Sequence, residues 1–134
     1  MAALRLSSHH LTALPPQIAV PTARRFGRRL SLRPTAATLR DPVVNVRIGA
    51  AYMGWLWERY EPNPVVLVPA YNAGQGAVDR WLRERPEQRL DVWVEDIPYD
   101  ETRRYTRRVL QSWGIYSWLD RGELAPLDPR LPQR

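Results

Sequence analysis

The side chains able to do chemistry in this chain are few and unevenly placed. There is no cysteine, which removes a thiolate nucleophile, thiolate metal ligation and a disulfide framework. The only two histidines, His9 and His10, are neighbours, too few for a zinc site or a catalytic triad, so no metal and no cofactor are expected. Every carboxylate lies beyond residue 40. Of these, Glu95 has the setting best suited to acid–base work, between Trp93 and Ile97, where partial burial would raise its pKa. A carboxylate bonded to helix amides or to Arg103 is the equal alternative. Tyr71 follows an apolar stretch and precedes a glycine break, so its ring can be buried while its hydroxyl reaches a cleft. Asn72 suits the fixing of that turn through backbone hydrogen bonds, and Gly74 and Gly76 supply backbone freedom. Glu101 and Arg103 sit at the start of the last expected helix, where Glu101 suits the N-terminal dipole and both read as structural.

The aromatic residues are unusual in type, with six Trp and six Tyr against one Phe. Rings with a polar handle suit surfaces that are half apolar and half wet, sugar grooves among them; filling of a helical core by tryptophan is the alternative. By helical spacing Trp55, Trp57 and Trp113 are expected in the core. The net charge of +6 divides sharply along the chain: residues 1–40 carry seven Arg and no acid, while residues 41–134 carry thirteen Arg against fourteen Asp and Glu. Basicity is therefore a property of the N-terminal arm. Because the rest of the chain would repel phosphate as much as attract it, no nucleic-acid partner is expected. An anionic-surface or nucleic-acid binder working through the Arg-rich residues 24–40 remains the rival of a different class. No stretch of eighteen apolar residues exists, so no membrane span is expected.

The elements that must position these residues read as helices. In residues 1–20 the apolar run is interrupted by Ser7, Ser8, His9 and His10, which does not make a signal peptide, and this segment is expected to be poorly ordered. Thr22 can cap a first helix with Phe26 and Leu30 on one face and Arg24, Arg25, Arg28 and Arg29 on the other. Asp41-Pro42 is a strong start signal for a helix from 42 to about 60, carrying Val44, Ile48, Ala51 and Trp55. Asn63-Pro64 opens a third helix through Tyr71 and Asn72, apolar on every side and hence central, with Val66, Ala70 and Ile48 among the most buried residues. Pro69 should kink it. A short helix follows over 77–83. Residues 91–95 are too few to separate strand from helical turn. Asp100 is expected to cap the longest helix, with a stripe of Tyr105, Val109, Ser112 or Trp113, Tyr116 and Leu119, ended by Gly122. Residues 123–134, with three prolines, read as an extended tail. The expectation is an all-α domain of about five helices over 21–122.

Three of these segments, in this order, resemble the soluble lytic transglycosylases of bacterial cell walls, the lysozyme-like domain of glycoside hydrolase family 23. Residues 41–50, DPVVNVRIGA, resemble the family's DPxxNIRLGA helix. Residues 70–76, AYNAGQG, are similar to its AYNAGPG, with Gln75 for the usual proline. Residues 94–105, VEDIPYDETRRY, are similar to VExIPxxETRxYV. Three motifs with sensible spacing are far more specific than one. Upstream, Gln17 falls on the glutamine of GLMQxMPxTA and Ser8 on the serine of SxxGAxGL, while Leu11 and Leu14 replace the latter's glycines. The resemblance implies a lysozyme-like all-α fold with an incomplete N-terminal part. It implies a groove for peptidoglycan glycan strands lined by Tyr71, Glu95, Gln17 and Asn72, with Gly74, Glu101 and Arg103 as structural members of the motifs. It further implies a place in the periplasm or cell envelope. A monomer is expected.

The same resemblance exposes what is missing. The family's acid is a glutamate well upstream of the Gln17 position, and residues 1–40 contain no Asp or Glu. In the family reaction this one carboxyl protonates the glycosidic oxygen and then takes the proton of the sugar's own hydroxyl, giving a 1,6-anhydro product without an attacking water; this departs from the two-carboxylate scheme. No residue of this chain is therefore expected to be catalytic. The chain is expected to be a truncated or degenerate relative that does not cleave; a non-catalytic glycan-binding or interaction module on the same fold is the alternative.

Overall fold

The computed structural model describes residues 18–61, 63–124 and 127. Among these are six α-helices and one short 3-10 turn, with no strand: α1 Val20–Arg29, the turn Thr38–Arg40, α2 Pro42–Arg59, α3 Pro64–Ala73, α4 Gln75–Glu84, α5 Leu90–Glu95 and α6 Asp100–Arg121. The all-α expectation holds, and the undecided segment around residues 91–95 is helical, forming α5 and bringing the described helices to one more than the five expected. The chain divides into two compact units within α2, at Tyr52 and Met53.

In the first unit, α1 is amphipathic. Ala23, Phe26 and Gly27 recur at spacings of three and four and are buried, while Arg24, Arg25, Arg28 and Arg29 face solvent. The helix begins at Val20 after Ala19, with Pro21 in its first turn; Thr22 lies inside it and does not cap. The glycine at 27 has a packing reason, because a Cβ there would lie 2.7 Å from Cδ and 2.8 Å from Cγ of Pro34. Phe26 packs against Tyr52 with ring centroids 5.0 Å apart. The start of α2 is fixed as its sequence predicts: the Asp41 carboxylate accepts from the amides of Val43 at 2.8 Å and Val44 at 3.4 Å. Asn45 then donates to the Leu39 carbonyl at 3.0 Å, tying the 3-10 turn to the helix.

The second unit is organised around α3, whose residues Val65 to Ala70 are all buried. Val66, Ala70 and, in the first unit, Ile48 are completely buried, as expected of a segment without a polar face. Asn63 caps α3 by accepting from the Val65 amide at 3.1 Å. Both α4 and α6 pack on α3, and α5 packs on α6. Beyond α3 the largest fully buried side chains of this unit are Trp81, Trp93 and Tyr60. The two indoles lie 6.5 Å apart, and Tyr99 sets its ring edge-on to Trp81 at 5.1 Å.

Several local expectations are corrected. Trp57 is exposed, and Trp55 and Trp113 are only partly covered, so the tryptophan core is Trp81 and Trp93. On α6 the buried residues are Thr102, Thr106 and Ser117, whereas Tyr116 and Leu119 face solvent. Asp100 is the first residue of α6 and not its cap; Tyr99 precedes it without a side-chain bond to the helix. Helix α4 starts two residues earlier than periodicity indicates, at Gln75, because Gly74 alone makes the break.

Candidate functional site

The ends of three helices carry the motif residues of the second unit. Tyr71 and Asn72 occupy the last turn of α3, which Gly74 terminates at φ 88° and ψ 145°. That conformation lies in the region L side chains rarely adopt, and it lets the chain leave α3 and enter α4 through a single residue. Tyr71 is half-buried. Burial, together with the neighbouring Tyr105 phenol, pushes its own phenol above the usual tyrosine range and keeps it neutral. Asn72 is an exposed residue whose Oδ1 accepts the hydroxyl proton of buried Thr102 at 2.6 Å.

Glu95 is the last residue of α5. Helix periodicity turns Trp93 and Val94 inward and leaves the Glu95 side chain about half exposed. The expectation of a partly buried carboxyl is therefore corrected: six residues of helix, flanked by Trp93 and Ile97 in the core, still put position 95 on the outer face. Its partner is neither the helix amides nor Arg103 but Arg107, whose Nε donates to Oε1 at 2.8 Å while Nη2 closes on Oε2. Arg103 instead donates from Nη1 to the Ile97 carbonyl at 2.9 Å and pairs with Asp100 through Nη2. Glu101 stands exposed in the first turn of α6, beside Asp100, where two acids suit the helix dipole.

The common support is the first two turns of α6. Thr102 reaches the end of α3, and Arg103 and Arg107, one turn apart on the adjoining face, reach Ile97 just past α5 and Glu95 at its end. Tyr105, one turn beyond Thr102, stands beside Tyr71. Thus Tyr71, Asn72 and Glu95 come from elements tied to one short stretch of one helix. Gln17 lies outside the described residues, as does Ser8. Sequence reasoning missed Thr102, Tyr105 and Arg107. Their signal was present in the helical register of residues 102–107, which sends 102 and 105 one way and 103 and 107 another.

A second polar cluster lies between α2 and α4 within this unit. The buried Tyr60 hydroxyl donates to Asp79 Oδ1 at 2.9 Å, and Arg59 pairs with Asp79 Oδ2. Burial, with the adjacent Asp79 carboxylate, holds the Tyr60 phenol far above the ordinary range. Its groups satisfy one another, which marks it as structural. Among the described residues no three of His, Asp and Glu come together as a metal site would need.

The profile of the transglycosylase SLT domain matches residues 16–94. The chain belongs to this family. Soluble lytic murein transglycosylase of Escherichia coli strain K12 is 39% identical over 82 residues, which is 60% of this chain and 13% of that protein. A putative soluble lytic murein transglycosylase of Haemophilus influenzae is 37% identical over 86 residues, 63% of this chain and 14% of that protein. In three dimensions the chain is similar to an X-ray structure of an inactive mutant of lytic transglycosylase Slt from Pseudomonas aeruginosa. The match has a TM-score of 0.64 and 35% identity, and it covers 83% of this chain and 18% of the other. This SLT-domain chain therefore spans only about one-eighth of the length of the curated relatives it matches.

Proposed function

We propose that this SLT-domain chain binds the β-1,4-linked N-acetylmuramic acid and N-acetylglucosamine strands of peptidoglycan in the periplasm or cell envelope, and that by itself it does not cleave them. The observation that supports binding most is the shared anchorage of the AYN turn and of Glu95 on the first two turns of α6. It is what a groove wall built from separate segments requires. Tyr71 would offer a neutral phenol, Asn72 an amide and Glu95 a solvated carboxylate along that wall. These are groups that hydrogen-bond hydroxyl and acetamido substituents.

Absence of cleavage follows from the carboxylates. Protonating a glycosidic oxygen at neutral pH takes an acid whose pKa is raised by burial. Residues 1–40 supply none, and Glu95 is half-exposed and paired with the Arg107 guanidinium, not the buried carboxyl that this step needs. General acid catalysis is worth roughly 100- to 10,000-fold, and the carboxylate's stabilisation of the charged sugar would be lost with it.

The test is incubation of the purified 134-residue chain with peptidoglycan. Sedimentation with the polymer measures binding and mass spectrometry of the soluble fraction detects anhydromuropeptides. Binding without anhydro products is expected. Anhydro products that disappear in Glu95→Gln would show Glu95 acting as the acid and would refute the non-cleaving half. Failure to sediment would refute the binding half.

A further inference from the structure

Asn72 has two hydrogen-bonding ends, a carbonyl oxygen that accepts and an amino group that donates. In this chain they are used differently. The oxygen accepts from Thr102 at 2.6 Å, and Thr102 is buried, with 3% of its surface exposed. No described residue accepts from Nδ2, and the residue as a whole is exposed. The Thr102 hydroxyl has one proton, and in this bond that proton is committed to the amide oxygen. The Thr102 carbonyl is separately engaged by the Thr106 hydroxyl at 2.8 Å, which fixes that turn of α6.

We propose that Thr102 is a positioning residue that orients the Asn72 carboxamide, so that the group presented to a ligand is the Nδ2 donor and the ligand group it takes is an acceptor oxygen, such as the carbonyl of an N-acetyl substituent. The inference rests on the glycan-binding reading and sharpens it: an amide free to flip would offer donor and acceptor alike, whereas a held amide selects one. It also gives Asn72 both roles its position allows. Its oxygen joins α3 to α6, and its nitrogen is the end left to a ligand.

The test uses the full chain, the β-1,4-linked hexamer of N-acetylglucosamine as probe, and the variants Thr102→Ser, Thr102→Val and Asn72→Asp. Valine matches threonine in shape and lacks the hydroxyl, serine keeps it, and aspartate keeps an acceptor for Thr102 while removing the donor. Without any ligand, the Asn72 side-chain amide resonance should keep its wild-type position in Thr102→Ser and move in Thr102→Val. An unmoved resonance in Thr102→Val would overturn the positioning role, however the chain binds sugar. In calorimetric titration, Thr102→Val and Asn72→Asp should bind the hexamer roughly three- to tenfold more weakly, the size of one lost hydrogen bond, with Thr102→Ser at wild-type affinity. Wild-type affinity in Asn72→Asp would overturn the donor assignment. Asn72→Asp changes no buried atom, so this arm stands even where Thr102→Val unfolds. A wild-type chain that does not bind the hexamer refutes the glycan reading and the ligand half together, while the ligand-free resonance still decides the role of Thr102.

Discussion

Arg107 grips Glu95 from the second turn of α6, with Nε 2.8 Å from Oε1 and a further contact from Nη2 to Oε2. Both side chains are about half exposed, and a paired carboxylate in that setting contributes little to folding, about 0–1 kcal/mol. Arg107→Ala should therefore lower stability by no more than about 1 kcal/mol in urea denaturation. The same change should alter glycan affinity if Glu95 lines the proposed glycan groove, since it releases that carboxylate. A loss well beyond that range would make the pair a structural clamp.

The Tyr60–Asp79–Arg59 cluster makes the opposite prediction, because the tyrosine is fully buried. Asp79→Ala removes the acceptor of a buried hydroxyl and the partner of a guanidinium, and should cost about 1–3 kcal/mol. Its pH dependence has a definite sign. The Tyr60 phenol is held above its unfolded value near 10, so above about pH 10 the unfolded chain releases a proton that the folded one keeps. Stability from this group is complete below pH 10 and falls as pH rises beyond it. Urea melts of wild type should weaken as pH is raised from about 10 to about 12, and Tyr60→Phe should lose part of that slope.

Gly27 should not tolerate alanine. An added methyl would lie under 3 Å from two ring carbons of Pro34, and a proline ring has little room to swing aside. Overpacking of this kind costs about 1–3 kcal/mol, more than the roughly 1 kcal/mol alanine gains over glycine inside a helix. Gly27→Ala should lower the midpoint of thermal unfolding, and a raised midpoint would mean that the α1–Pro34 approach is loose.

What was legible in the sequence was local. Asp41-Pro42 and Asn63-Pro64 are starts written in adjacent residues, and both cap as read. The apolar run of α3 announces its own burial. Asp100 carried the same kind of signal and failed, because its carboxylate goes to Arg103 and the helix begins at Asp100 itself. The six residues of α5 are too short to show a period. The motif residues Tyr71, Asn72 and Glu95 were visible by resemblance, but their partners Thr102 and Arg107 are 30 and 12 positions away. That pairing depends on how α6 lies against α3 and α5, which no spacing encodes. The exposed Tyr116 and Leu119 show the same limit: a helical stripe says which residues share a face, and only the neighbouring elements decide whether that face is covered.

The tryptophans give the clearest contrast between spacing and packing. Trp81 is 1% exposed, packed among Trp93 and Tyr99, whereas Trp57 is 48% exposed. Removing a buried indole leaves a cavity that the surrounding helices only partly close, so Trp81→Ala should cost about 3–5 kcal/mol, enough to unfold a domain of ordinary marginal stability. Trp57→Ala should stay within about 0.5 kcal/mol of wild type. Fluorescence separates the two independently of stability: in the folded chain the acrylamide-quenchable emission should fall in Trp57→Ala and persist in Trp81→Phe. Because phenylalanine keeps most of the ring contacts, Trp81→Phe should fold even where the alanine variant does not. Equal costs for the two alanine variants would mean that α4 does not bury its indole against α5.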